Sequence, residues 1–284
     1  MTLANAPAVR QPGRQRVPAS PGERGSRRTG RGPRAASYWL SSAALFAAWW
    51  IGSATGLIDP GTLPGPVEVG SAAVELARSG ELLSALSASL GRVLAGTAIG
   101  LVLGIAAGLL SGYRRAGEMV IDRPVQMLRA VPFNALTPLF IIAFGVGEQM
   151  KVLLIVVGVF VPIYLNTFAG VRGVDAKLLE VGRVYRVPAR VVATTILFLG
   201  ALPSVLTGLR FSLAIAWIAL VTSETVNAQA GIGYILAQAQ RFVRTDRVVL
   251  CIVIYALLGL LTDAIVRLLE RRLLRWRPVG AGAR

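Results

Sequence analysis

The chain contains no histidine, and its single cysteine, Cys251, sits inside an apolar run. These gaps remove the commonest catalytic bases and metal ligands, exclude an intramolecular disulfide and leave no Cys/His cluster for a metal. Charge is scarce as well. Asp, Glu, Lys and Arg make up 15% of the 284 residues, against about a quarter in an ordinary soluble domain. No G-x-x-x-x-G-K-[ST] sequence occurs, so the chain supplies no P-loop ATPase of its own. Paired acids inside the apolar segments are also missing, which weighs against a membrane-embedded enzyme.

What the chain has instead is apolar length. Hydrophobic residues make up 54% of it and the mean hydropathy is +0.63. A hydrocarbon core about 30 Å thick takes roughly 20 apolar residues per helical crossing. Blocks that approach this run from Tyr38 to Ile58, Val93 to Leu110, Val152 to Val171, Phe211 to Val221 with its flanks, and Val248 to Val266. A shorter block from Pro132 to Val146, interrupted by Pro138, forms a hairpin with the next span across Gly147 to Met150. These give six expected spans. The run from Val191 to Leu202 is only about a dozen residues long, has charges crowding its front and ends at Pro203; it is expected at the membrane surface.

The net charge of +16 invites a nucleic-acid reading, but the basic residues sort by topology instead. Arginines 10, 14, 16, 24, 27, 28, 31 and 34 precede the first block, against the single acid Glu23. Asp59, Glu68, Glu75 and Glu81 follow it, against Arg78. Arg114, Arg115, Arg123 and Arg129 then outnumber Glu118 and Asp122; Arg172, Lys177, Arg183, Arg186 and Arg190 follow the fourth span, and Arg267, Arg271, Arg272, Arg275 and Arg277 close the chain. Lys/Arg excess marks the cytoplasmic side, so both termini are expected inside, a parity that six crossings satisfy. Residues 1–37 read as a disordered basic tail able to touch anionic lipid rather than a cleaved signal peptide, 38–277 as the membrane domain and 278–284 as a short tail.

Gly96, Gly100, Gly104, Gly108 and Gly112 recur every fourth residue, which aligns them on one helix face where another backbone can approach closely. The neighbour is either a helix of the same subunit or a second copy of the chain. Among ionisable residues near span ends, Arg92 and Glu224 fall toward the outer side and Arg210 and Asp263 toward the inner. Arg241, Arg244 and Arg247 run against the topology trend in an outer loop, Asn227 to Asp246, where they would concentrate an anionic solute. The segment Val174 to Pro203 starts charged and helix-prone, turns at Val187-Pro188 and continues apolar. A helix–turn–helix on the inner surface would suit docking of another protein.

That segment resembles the cytoplasmic coupling loop of binding-protein-dependent ABC importer permeases. Glu180 stands at the family's Glu and Leu202-Pro203 at its later Leu-Pro; Val181 and Gly182 replace the two alanines that usually follow the Glu. Arg186 occupies the glycine position, so the turn is expected to shift toward Pro188 because a non-glycine residue adopts φ > 0 only at a cost. Further matches are SLGRVLAG from Ser89, IYLNTFAGVRGVDAKLLE from Ile163, GLRFSLAIAW from Gly208, GIGYIL from Gly231 and LLERRLLRW from Leu268. They look like the branch of aliphatic sulfonate, taurine and nitrate permeases, most of all the sulfonate members.

The resemblance implies an all-α polytopic permease in the bacterial inner membrane. It implies a homodimer working with a cytoplasmic ABC ATPase dimer and an extracytoplasmic solute-binding protein, with ATP used by that separate subunit and no cofactor here. It makes Glu180, Val181, Gly182, Arg186, Pro188 and Pro203 the ATPase-coupling residues, and Glu224, Arg210, Trp217 and Asn166 candidates for the translocation pathway. An ion-driven secondary transporter would need midplane carboxylates or paired broken helices, and neither is apparent.

Overall fold

A computed structural model describes residues 34–59 and 61–275; the rest of the basic tail, the closing tail 278–284 and Arg277 lie outside the described residues. The chain divides into two compact units, 1–46 and 47–284. The described part of the first is the opening of helix α1 (Arg34–Ala54), which thus begins before the expected Tyr38. Everything below concerns the second unit, which holds the remaining helices and, among its described residues, no strand.

Two short helices lead into the bundle. In α2 (Pro66–Arg78), Pro66 occupies the first turn and the Glu68 carboxylate accepts the Gly65 N–H at 2.9 Å, satisfying a donor that the helix leaves unpaired. Helix α3 (Glu81–Tyr113) carries the glycine series. After the three-residue α4 (Arg115–Gly117) and a π-helical turn, Glu118–Asp122, come α5 (Arg123–Ala130), a 3-10 turn, Phe133–Ala135, and α6 (Leu136–Phe144). Helix α7 (Glu148–Arg172) is the central one, packed against α3 on one side and a later helix, α10, on the other; its Leu154, Ile155, Val159, Ile163 and Tyr164 are fully buried.

The next elements are α8 (Ala176–Val184), capped by Asp175 through the Lys177 N–H, the three-residue α9 (Ala189–Val191), a π-helical turn, Val192–Leu197, and α10 (Phe198–Asn227). The chain closes with α11 (Ile232–Arg241) and α12 (Thr245–Leu273).

Close packing fixes the helix directions. A Cβ added at Gly96, Gly100, Gly104, Gly108 or Gly112 would meet Ile155, Val159, Ile163, Thr167 or Val171 in turn, at 2.6 to 2.9 Å. Each step of four in α3 is matched by a step of four in α7, so the two helices run parallel. Of the two neighbours open in sequence, the glycine face has a helix of its own subunit. By contrast α10 runs antiparallel to α7: Gly170 meets Ala201 and Ser204, Gly208 meets Asn166, and Ser212 Oγ donates to the Val159 carbonyl at 3.1 Å.

Among the described residues, four stretches are long and apolar enough to cross a membrane: Glu81–Tyr113, Glu148–Arg172, Ala189–Val226 and Thr245–Leu273. Four of the six expected spans are met by these stretches, and at the other two places, α1 and Pro132–Val146, the described helices are not single long apolar crossings. Helix α1 is 21 residues long, about 31 Å at 1.5 Å per residue, and its apolar stretch among the described side chains is Ala43–Ala54. The expected Pro132–Val146 span contains only a 3-10 turn and the nine-residue α6, about 14 Å long at 1.5 Å per residue. Pro132 is responsible, because the residue before a proline is driven out of the helical region and Val131 is extended (φ −79°, ψ 125°). Since α3 and α7 are parallel, the chain between them must nevertheless return along the bundle. It does so as a broken pair, α5 and α6, from Glu118, which pairs with Arg172, back to Glu148 at the head of α7.

Two further expectations are corrected. The Val191 to Leu202 run is not a separate surface segment: it continues from α9 through the π turn into α10, with Val192, Leu197 and Ala201 buried in a cluster with Val171 and Val205. Pro203 sits within the helix instead of ending it. Buried neighbours on α7 stabilise the helix through that position, and the Thr207 hydroxyl donates to the Pro203 carbonyl at 3.0 Å. The loop from Asn227 to Asp246 contains α11, whose Ile232, Ile235, Leu236 and Ala239 bury one face at helical spacing.

Candidate functional site

The bundle presents three features with chemistry: a polar cluster at the end carrying α11, a groove beside α7, and an exposed face around α8 at the opposite end.

The cluster centres on Glu224, near the C-terminal end of α10 and 1% exposed. Its carboxylate accepts from Arg92 Nη1 at 2.5 Å, from Ser89 Oγ at 2.8 Å and from the Gly233 N–H at 2.8 Å. Arg92 also donates to both Glu148 oxygens, at 2.6 and 2.8 Å, and to the Ala230 carbonyl at 2.7 Å; Lys151 donates to Glu148 at 2.9 Å. Two cations thus face two carboxylates, and the buried charge is compensated. The backbone at the start of α11 completes the cluster, because a Cβ on Gly231 or Gly233 would lie 2.4 or 2.5 Å from Glu224 atoms. Glu224 is therefore seated between helices in this structure. Ser89, Glu148, Lys151, Gly231 and Gly233 are partners that the sequence reading missed; the available signal was the pairing of Arg92 in SLGRVLAG with the glycines of GIGYIL.

Beyond the cluster, Glu75 accepts from Arg247 at 3.0 Å and Arg244 at 3.3 Å, and Arg244 also pairs with Asp246 at 2.8 Å. The hydrogen bond to Asp246 is the main cause that raises the Arg244 guanidinium pKa. Two of the three outer arginines expected to concentrate anions are thereby offset by acids. Arg241 alone of the three makes no ion pair among the described residues.

Arg210 and Trp217 lie on the side of α10 that faces α12. Arg210 Nε donates to Asp263 at 2.8 Å, Asp263 also pairs with Arg267, and the Trp217 indole N–H reaches Thr262 Oγ1 at 3.4 Å. Asn166 lies elsewhere, in a groove of about 390 Å³ bounded by α5, α6, α7 and α10. The four pathway candidates are thus not one constellation: Glu224 belongs to the cluster, Arg210 and Trp217 to the α10–α12 seam, and Asn166 to the groove.

At the other end, Glu180 and Val181 are exposed on α8, with Leu178, Val184 and Tyr185 exposed around them. Gly182 is buried against Val192 and Ile196, which fixes α8 to the start of the long helix. The turn remains at Arg186 and does not move to Pro188. Arg186 takes φ 49°, its N–H reaches the Arg183 carbonyl at 3.0 Å and the Val187 N–H reaches Gly182 at 2.9 Å. This is the Schellman arrangement, with arginine in the left-handed position that glycine usually fills. Pro188 instead caps α9.

Long apolar helices bundled around a compensated polar end, with a groove beside α7 and an exposed face on α8, define a multi-helix membrane protein. Residues 100–275, more than half of the chain, match the family model described as "Binding-protein-dependent transport system inner membrane component". The chain belongs to that family. It is 43% identical over 238 residues to the putative aliphatic sulfonates transport permease protein SsuC of Bacillus subtilis (strain 168), covering 84% of this chain and 86% of that one. The protein of the same description from Escherichia coli (strain K12) is 42% identical, covering 84% and 91%, and the E. coli taurine transport system permease TauC is 32% identical, covering 82% and 87%. A chain of the MetNI methionine ABC transporter in an inward-facing crystal form shares the fold, with TM-score 0.54 at 19% identity over 67% of this chain and 97% of that one.

Proposed function

We propose that this chain is the membrane permease of an ABC importer for aliphatic sulfonates. Family membership makes it a transport subunit; the substrate reading is carried by the 42–43% identity to two sulfonate permeases, against 32% to the taurine permease. The working assembly is a homodimer with a cytoplasmic ATPase dimer and an extracytoplasmic solute-binding protein. Both termini lie in the cytoplasm, the basic tail expected over 1–37 gives way to α1 at Arg34, 278–284 is a tail, and 174–203 is the coupling segment of the permease domain that runs to 277.

In this reading the ATPase grips α8 through Glu180, Val181 and the exposed Val184 and Tyr185. The Arg186 turn and Pro188 orient α8, and the helix that begins at Ala189 and passes Pro203 receives its displacement. ATP binding then biases a two-state membrane element, and the permease performs no bond chemistry. Gly96 to Gly112 hold α3 and α7 as one body during that change.

Two experiments test the proposal. A deletion strain should fail to grow on alkanesulfonates as sole sulfur source and recover with the gene restored; normal growth would assign another solute, such as taurine or nitrate. Glu180→Lys should abolish uptake while the protein still inserts in the membrane and a tagged wild-type chain co-purifies with a P-loop ATPase. A wild-type chain that transports alone in a proton gradient would overturn the importer reading.

A further inference from the structure

Two grooves of similar size open on the bundle, and their charges differ. The one at the α11 end, about 370 Å³, includes Glu81, Ser84, Gln229 and Gln238 in its lining. Its carboxylate would repel an anion. The one beside α7, about 390 Å³, has a single charged lining residue, Arg129. That size lies within the roughly 300–1,000 Å³ typical of small-molecule sites. Arg129 is exposed and, among the described residues, makes no ion pair.

The local fold explains why a cation stands free at this point. Arg129 lies in the last turn of α5, and at Val131-Pro132 the backbone leaves the helix and opens a gap between α5 and α6. Across that gap stands Asn166 on α7. Its side-chain amide donates one N–H to the Pro162 carbonyl at 2.8 Å and keeps a second N–H to give. The rest of the wall is apolar, with Val157, Val161, Phe211 and Ile215 among its members. One guanidinium and one amide donor at the break, with a hydrocarbon wall adjoining them, form an amphipathic site.

We propose that this groove holds the transported solute, with an anionic head group on Arg129 and Asn166 and an apolar portion laid along Val157, Val161, Phe211 and Ile215. The proposal rests on the reading of the chain as an anion importer. A sulfonate presents several oxygens to the guanidinium fork, which favours bidentate charge-assisted hydrogen bonds. Each methylene buried against the wall multiplies occupancy by about fourfold. The same wall gives nothing to an inorganic anion, so the groove would discriminate by tail as well as by charge.

The test is uptake by proteoliposomes containing the full complex of permease, ATPase and binding protein, with ethanesulfonate and hexanesulfonate as solutes. Arg129→Gln should lower uptake of both by about tenfold or more, the loss of one charge-assisted contact, and Arg129→Lys should restore part of it. Val161→Phe, which narrows the apolar wall, should depress hexanesulfonate several-fold more than ethanesulfonate. Wild-type uptake by an assembled Arg129→Gln complex would overturn the proposal. Should the Arg129 variants fail to assemble, an unchanged hexane-to-ethane ratio in Val161→Phe would overturn it instead. If the wild-type complex moved nitrate or taurine and no alkanesulfonate, the substrate reading would fall, and the Arg129 variants measured with that anion would still decide the groove.

Discussion

Replacing Gly104 by alanine adds one methyl group at the tightest seam of the bundle. That methyl would stand 2.7 Å from Ile163 Cγ2, 2.9 Å from Ile163 Cβ and 3.0 Å from the Phe160 carbonyl oxygen. Carbon atoms pack comfortably at about 3.5–4.0 Å, so the shortfall approaches 1 Å. Neither neighbour can yield alone. Ile163 is fully buried and β-branched, hence stiff at χ1, and the carbonyl belongs to the α7 backbone. The helices must part, and doing so loosens the adjoining rungs at Gly100 and Gly108. Overpacking of this kind costs about 1–3 kcal/mol. Alanine recovers about 0.5–1 kcal/mol over glycine inside a helix, leaving a net loss of roughly 1–2 kcal/mol. Gly91 in the same helix is exposed and has nothing within 4 Å of an added Cβ, so Gly91→Ala carries only the gain. Thermal unfolding of the two purified full-length variants in one detergent, read by the fraction surviving size-exclusion chromatography, should move in opposite directions. The Gly104→Ala midpoint should fall by roughly 2–8 °C. A Gly104→Ala protein as stable as Gly91→Ala would refute the close-packed seam.

The buried cluster makes an asymmetric prediction. Arg92→Met strands the Glu224 carboxylate and should cost roughly 3–5 kcal/mol, seen as loss of monodisperse protein from membranes, whereas Arg92→Met with Glu224→Gln should recover much of it; full yield of the single variant would contradict the pairing. Val243 adopts φ 55°, a left-handed conformation that a β-branched residue enters only under constraint. Val243→Gly should raise the unfolding midpoint by about 0.5–1 kcal/mol equivalent, the left-handed penalty of about 1–2 kcal/mol less the glycine entropy. Arg186→Gly should do the same more weakly, and a lowered midpoint in both would argue against the left-handed turns.

The spacing of the five glycines announced a close helix seam because period four is a property of one helix face and needs no partner to be recognised. The exposed helix and turn around Glu180 were legible for the same reason: charge, a proline and an apolar run are all local. The cluster was not, since Arg92, Glu148 and Glu224 lie 56 and 132 residues apart, and only the folded chain brings them together. Local cues also misled where tertiary packing overrules them. Pro203 reads as a stop signal, yet α7 supports the helix on through it. Pro132 begins the block read as one crossing, yet it breaks the helix there, so the chain returns as the pair α5 and α6. The glycines before α11 read as loop, although their role is to clear space for Glu224.

These features are joined by a single element. The helix that starts at α9 has Val192 and Ile196 under Gly182 of the exposed α8, presents Phe211 and Ile215 to the groove, and brings Glu224 into the polar cluster. Its two ends are held differently. Near the α11 end, the Glu224 carboxylate is fixed by an arginine, a serine and a backbone N–H in a compensated, buried setting. At the α8 end, Gly182 rests on Val192 and Ile196 through apolar contacts that fix no direction. The two irregularities in its ladder, the π turn at Val192–Leu197 and Pro203, both fall between the docking face and the groove. π turns and prolines are where helices bend. In the proposed coupling, a displacement of α8 would bend this helix between its two ends and shift the Phe211 and Ile215 wall relative to Glu224. In that proposal the polar cluster would serve as the fixed point of the helix, so that Arg92→Met would impair transport without Arg92 touching the solute.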